Sequence, residues 1–124
     1  MPMSDAGREL IAAALTGDTI SPYNNANTYL GVGDSAAAFS ASQTSLQGAQ
    51  QDLKPMDASY PLRLGAAISF RAVFDTADAN FAWNEWGVFN ALEDGTMLNR
   101  RVESLGTKDN TQTWQLTVNL TVVG

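Results

Sequence analysis

The most regular pattern in the chain is near its end. Trp114, Leu116, Val118, Leu120 and Val122 alternate with Thr113, Gln115, Thr117, Asn119 and Thr121. Successive side chains of a strand point to opposite faces, so this period of two predicts a strand with one core face and one polar face. "AAISFRAVFD" repeats the pattern, with Ile68, Phe70, Ala72 and Phe74 on one side and Ala67, Ser69, Arg71 and Val73 on the other. The run "FAWNEWGVF", Phe81 to Phe89, has strand composition, and the turn signal at Glu93 to Gly95 predicts a hairpin joining it to "TMLNRRVES". In strict alternation Phe81, Trp83, Glu85, Gly87 and Phe89 share one face of that strand, and Ala82, Asn84, Trp86 and Val88 the other.

The first half reads differently. Ser4 is placed to cap a helix whose first turn carries Asp5 and Glu9 and whose body runs through "RELIAAAL" to Leu15 before Gly17 stops it. Its apolar face (Leu10, Ile11, Ala14, Leu15) would lie on a core or on a partner chain. From Gly17 to Pro61 the composition shifts to Ser, Thr, Asn, Gln, Ala and Gly, broken by one strand-like run, "TYLGVG", at Thr28 to Gly33. Asp34 to Phe39 and Ser42 to Leu53 are each expected to form a helical turn, the first capped by Asp34. Irregular stretches longer than about 12 to 15 residues usually bind or wrap something, so these loops are expected to make contacts. The whole predicts a mainly β fold: a small antiparallel β-sandwich with a short N-terminal helix and long loops in the first half. One domain spans residues 1–124, divided into the helix (1–17), a loop-rich contact region (18–61) and the main sheet (62–124). Its core is expected to hold Phe70, Phe74, Trp83, Trp86, Phe89, Trp114, Leu116, Val118 and Leu120.

A chain of 124 residues hides roughly two-thirds of its unfolded surface when it folds, enough for a core without staples. Charged residues make up only 16%, which suits a protein covered by neighbours more than a disordered chain. Thirteen acidic against seven basic residues give a net charge of −6, with no basic patch to neutralise phosphates, so direct nucleic-acid binding is not expected. The absence of Cys and His removes disulfides, thiol nucleophiles, thiolate or imidazole metal sites and the usual general base at neutral pH. No catalytic residue, metal ligand or cofactor is expected. No segment reaches the roughly 18 apolar residues of a membrane span, and the acidic start "MPMSDAGREL" is unlike an export signal. Manufacture and use in a cytoplasm, or in an assembly built there, is the expectation.

Two motifs invite a chemical reading. "GVGDS" at Gly31 to Ser35 lacks the third glycine of a dinucleotide fingerprint and the Gly-Lys-Ser/Thr of a phosphate loop, and reads as a strand end followed by a capped turn. Asp75, Asp78 and Glu85 form the one carboxylate group worth weighing for glycoside hydrolysis, which needs two carboxyls facing each other across a cleft. Glu85 also lies in the most aromatic stretch of the chain. A buried carboxylate is costly unless paired and hydrogen-bonded, so a structural ion pair with Arg71, Arg100 or Arg101 is expected, fixing strand register or an intersubunit contact.

Three stretches, Asn24 to Ser35, Ile68 to Ala91 and Gly95 to Lys108, resemble small structural proteins of tailed bacteriophages. The middle one is similar to the N-terminal domain of phage tail-collar fibre proteins, in which Trp-x-Glu-hydrophobic-Gly-hydrophobic-Phe follows a Phe-Arg-Ala-x-Phe strand. The matching residues are Trp83, Glu85, Trp86, Gly87, Val88 and Phe89, preceded by Phe70, Arg71, Ala72 and Phe74. A fibre continues into a shaft, whereas this sequence stops at Gly124 after its last strand. The resemblance therefore implies a virion structural module without enzymatic activity: a capsid decoration (cement) protein bridging neighbouring subunits, or an adaptor in the tail, collar or baseplate. Its partners would be the major capsid protein or tail and collar proteins, together with copies of itself in a homotrimer. Leu10, Ile11, Tyr23, Tyr29 and Tyr60 are candidate intersubunit contacts, and equally candidates for finishing the domain's own core. A carbohydrate-binding module using Trp83 or Trp86 as sugar platforms is the remaining alternative.

Overall fold

The computed structural model describes residues 2–123. Helix α1 (Asp5–Leu15) is followed by seven strands: β1 (Tyr29–Gly33), β2 (Gln51–Pro55), β3 (Leu62–Leu64), β4 (Ala67–Phe74), β5 (Ala82–Phe89), β6 (Met97–Thr107) and β7 (Trp114–Thr121). They form two antiparallel sheets, one ordered β2-β1-β5-β6 and the other β3-β4-β7. The fold is the small mainly-β sandwich that the alternating segments predict.

Between the sheets lies the principal core. Leu30 and Val32 of β1, Phe70, Ala72 and Phe74 of β4, Trp86 and Val88 of β5, and Val118 and Leu120 of β7 are buried in it. Trp83 is buried there too, edge-on to Phe74 and Trp114 with ring centroids 4.8 and 4.9 Å apart. Trp114 and Leu116, expected inside the core, are only half-buried at its rim, because β7 is an edge strand. Val122 lies beyond β7 and is 65% exposed: its N–H still bonds Ala66 O, but no second layer covers its side chain.

A second, smaller cluster (Leu46, Phe89 and Met97, with Tyr29 and Leu53 against it) occupies the outer face of the four-stranded sheet. Phe89 belongs here and not to the principal core. Leu46 comes from the stretch between β1 and β2, which folds back over the sheet as a third, irregular layer. Neither helical turn expected between Asp34 and Leu53 forms; the end of the second becomes β2, paired with β1 from Gln51 to Pro55.

Strict alternation also fails in β5. The β5–β6 register shifts between Trp83 and Glu85, so Trp83 turns into the core while Glu85 faces the outer side. Such irregularities re-aim side chains that period-two counting would place together.

Helix α1 begins as read from the sequence: Ser4 Oγ accepts from Gly7 N–H at 2.9 Å and donates to Met97 O at 2.5 Å, so one side chain caps the helix and ties it to β6. Glu9 falls outside the first turn, which holds only Asp5. Gly7 is the sole buried residue of the helix, and a Cβ there would collide with the Leu98 carbonyl. The helix is thus pinned by its first turns, and its later apolar residues remain uncovered.

Candidate functional site

The outer face of β5 and β6 carries the most specific polar arrangement in the molecule. Glu85 and Arg100 have fully buried side chains, and Arg100 Nε meets Glu85 Oε1 at 2.7 Å. Of the three arginines offered by the sequence, Arg100 is the partner. Three backbone N–H groups of the overlying loop complete the carboxylate: Gln47 donates to Oε1 at 2.8 Å, and Gly48 and Ser35 donate to Oε2 at 2.7 and 3.2 Å. Arg100 Nη1 in turn donates to Ala37 O and Gln43 Oε1 at 3.0 and 3.2 Å. Its Nη2 is buried without a partner among the described residues.

The local sequence explains why the loop can approach so closely. Gly33 lies opposite Glu85 in the β1–β5 ladder, and Gly48 rests against Asp34 and the Glu85 carboxylate; a Cβ at either would collide with that carboxylate. Glu85 is therefore surrounded by glycine backbone and amide donors, not by the aromatic rings that strict alternation predicts. A buried ion pair recovers its desolvation cost only when its remaining lone pairs are satisfied, and here four donors converge on two oxygens. The arrangement positions a loop. With its oxygens occupied and no exposure, Glu85 is not placed to exchange a proton with a bound substrate.

The other two arginines serve elsewhere. Arg71 pairs with Asp57 at 2.8 Å and stacks 4.2 Å above the Tyr60 ring, while Arg101 makes an exposed pair with Glu103 at 3.2 Å. Asp78 pairs with Lys54 at 3.1 Å, and this hydrogen bond holds its carboxyl below the usual range. Asp52 nearby is pushed up, first by burial and then by the Asp78 charge. Among the described residues no group of three or more carboxylates stands together as a metal-ion cage. Lys108 is buried, with Nζ donating to Asp75 O at 2.6 Å and to Asn80 Oδ1 at 2.8 Å. A lone lysine in a Gly-Thr-Lys-Asp turn gives no sequence signal for burial.

The aromatic candidates face inward. Trp83 and Trp86 are 2% and 7% exposed, so neither offers a platform to a sugar. Tyr60 packs against the principal core and Tyr29 against the outer cluster. Tyr23 joins the principal core and donates to Thr96 O at 2.7 Å, and burial pushes its phenol well above the usual tyrosine range. All three contact the chain's own core.

Leu10 and Ile11 do not pack fully. With Ala14 and Leu15 they form one wall of a groove of about 240 Å³, whose other wall includes Ile68, Leu120 and Val122. Every lining side chain is apolar or aromatic, and Leu15 at its mouth is 83% exposed. No helix among the described residues is long and apolar enough to cross a membrane. No protein-family model matches the chain, and neither a curated protein nor a solved structure does.

Proposed function

We propose that this chain is a non-enzymatic structural protein of a bacteriophage particle, acting as a capsid decoration protein that bridges neighbouring shell subunits. The observation that carries the reading is the groove between α1 and the three-stranded sheet, an apolar surface left open on a small domain with no polar convergence inside it. Such a surface suits a contact with another protein, since exposed apolar patches mark interaction sites. The resemblance of Trp83 to Phe89 to the tail-collar fibre pattern supplies the phage context. A decoration protein acts by mass action. It binds the assembled lattice and not the free subunits, so each bound copy adds its binding free energy to the assembled state. The protein would be made in the host cytoplasm and end on the virion, contacting the major capsid protein and neither nucleic acid nor membrane.

A second reading, an adaptor in the tail, collar or baseplate, is favoured by the fibre-like motif itself. Counting copies against the major capsid protein in purified particles, by quantitative mass spectrometry, separates the two. About one copy per capsid subunit is expected for a lattice-wide decoration. A few to a few tens per particle would assign the chain to the tail or collar, and its absence from particles would overturn both readings.

A further inference from the structure

The two sheets leave four edge strands, and three of them are blunted against pairing with another chain. β2 carries Asp52, Lys54 and Pro55; β3 has only three residues and includes Arg63; β6 carries Arg101 and Glu103 and breaks register with β5 twice. Charges, proline, shortness and bulges are the devices that keep sheet edges from recruiting partners. β7 has none of them. Its eight residues, Trp114–Thr121, hold no charge and no proline, and its ladder with β4 runs unbroken from end to end.

The ladder also fixes which backbone groups are free. Val122 N–H donates to Ala66 O at 2.9 Å, continuing the β4–β7 register. Because antiparallel ladders alternate bonded and non-bonded positions, the even-numbered residues of β7 face β4 with their N–H and C=O groups. Gln115, Thr117, Asn119 and Thr121 therefore turn theirs toward the open side.

Each end of this edge borders a hollow. One is lined by Leu105, Trp114 and Leu116 at the start of β7, the other by Met3, Ile11 and Leu120 at its end. Val122 and Val123, 65% and 81% exposed, continue the chain past the second.

We propose that the occupant of this edge is β7 of a second copy, paired antiparallel about a two-fold axis at Val118. In that register Gln115 and Thr117 of one copy bond Thr121 and Asn119 of the other through the free backbone groups, joining two three-stranded sheets into one of six. The same register sets Val122 opposite Trp114 of the other copy, so the exposed Val122 of one copy lies over the Leu105, Trp114 and Leu116 part of the hollow at the start of the other strand, a hollow that Thr113 and Gln115 also line. The edge is complementary to itself in hydrogen bonds and in its lack of charge. The two-fold pair stands whether or not the virion reading does, and it differs from the three-fold ring expected from the resemblance.

Sedimentation equilibrium of the full chain tests it with two double variants at exposed positions. In a single chain residues 115 and 121 are too far apart along the strand to interact, yet across the proposed axis each meets the other. The wild type is expected at twice the 13.2 kDa chain mass. Q115K/T121K, which sets lysine against lysine twice, is expected at the single-chain mass with an unchanged melting temperature, although it brings the net charge nearer zero. Q115K/T121E, which sets lysine against glutamate twice, is expected to restore the double mass. A wild type that sediments as one chain or three, a Q115K/T121K variant that stays paired, or a Q115K/T121E variant that does not re-pair would each overturn the proposal.

Discussion

Replacing Glu85 by Gln leaves the Arg100 guanidinium buried with no counter-charge and turns an amide group toward backbone N–H donors that need an acceptor. Breaking a buried pair on one side costs about 3 to 5 kcal/mol, so urea unfolding of Glu85→Gln should show a loss of that size, and E85Q/R100M should recover part of it. Wild-type stability in Glu85→Gln would remove the clamp from any structural account. Tyr23 gives a prediction in pH. Its phenol is raised above 10.0 in the folded chain by burial, so the stability it contributes is complete below pH 10 and lost as pH rises further. Tyr23→Phe should cost about 1 kcal/mol at pH 8 through the lost bond to Thr96, and the gap to wild type should close or reverse by about pH 11. A gap that is constant with pH would mean that the phenol is not buried. At this scale the sequence was partly legible. The need of Glu85 for a basic partner follows from the cost of a buried carboxylate, but the choice of Arg100 over Arg71 and Arg101 depends on cross-strand register, which no local pattern encodes.

The loop from Asp34 to Gln50 behaves as an element although it has no regular structure. Its backbone is fastened to one carboxylate and one guanidinium, and Leu46 anchors it in the outer cluster. Gly48→Ala inserts a methyl group against Asp34 and Glu85, and overpacking of this kind costs about 1 to 3 kcal/mol. The expected readout is selective: proteolytic cleavage within residues 35–49 should become fast while the strands stay protected, and uniform protection would show that the loop does not depend on the clamp. The strands β4 and β7 were plain in the sequence because each has one buried and one wetter face, and period two follows directly. β2 was hidden, since its half-buried Asp52, Leu53 and Lys54 have no alternation and the preceding Gln and Ala residues favour helix. What overrides that local preference is the pairing with β1 and the bonds to Glu85, both made to residues remote in sequence. The same blindness applies to Trp83, whose true face is set by a register shift in β6.

For the whole molecule, the open apolar surfaces include the groove beside α1, the end of the β7 edge with Leu15, Val122 and Val123, and, at the opposite edge of the same sheet, Leu62 and Leu64 of β3. Leu10 and Ile11 were legible as an apolar helical face, but the sequence could not say whether the chain would cover it; pinning of α1 through Ser4 and Gly7 leaves it uncovered. The groove and the end of the β7 edge share Ile11, Leu120 and Val122, so binding a lattice through one and a twin through the other would draw on the same side chains. The Glu85 clamp has a consequence for biosynthesis. It ties residues 35 to 48 to Arg100, and β1 finds its central neighbour only in β5. A nascent chain that has emerged as far as Pro61 holds Leu30 and Val32 with nowhere to bury them. Its first half completes its packing only once β4, β5, β6 and β7 have been made.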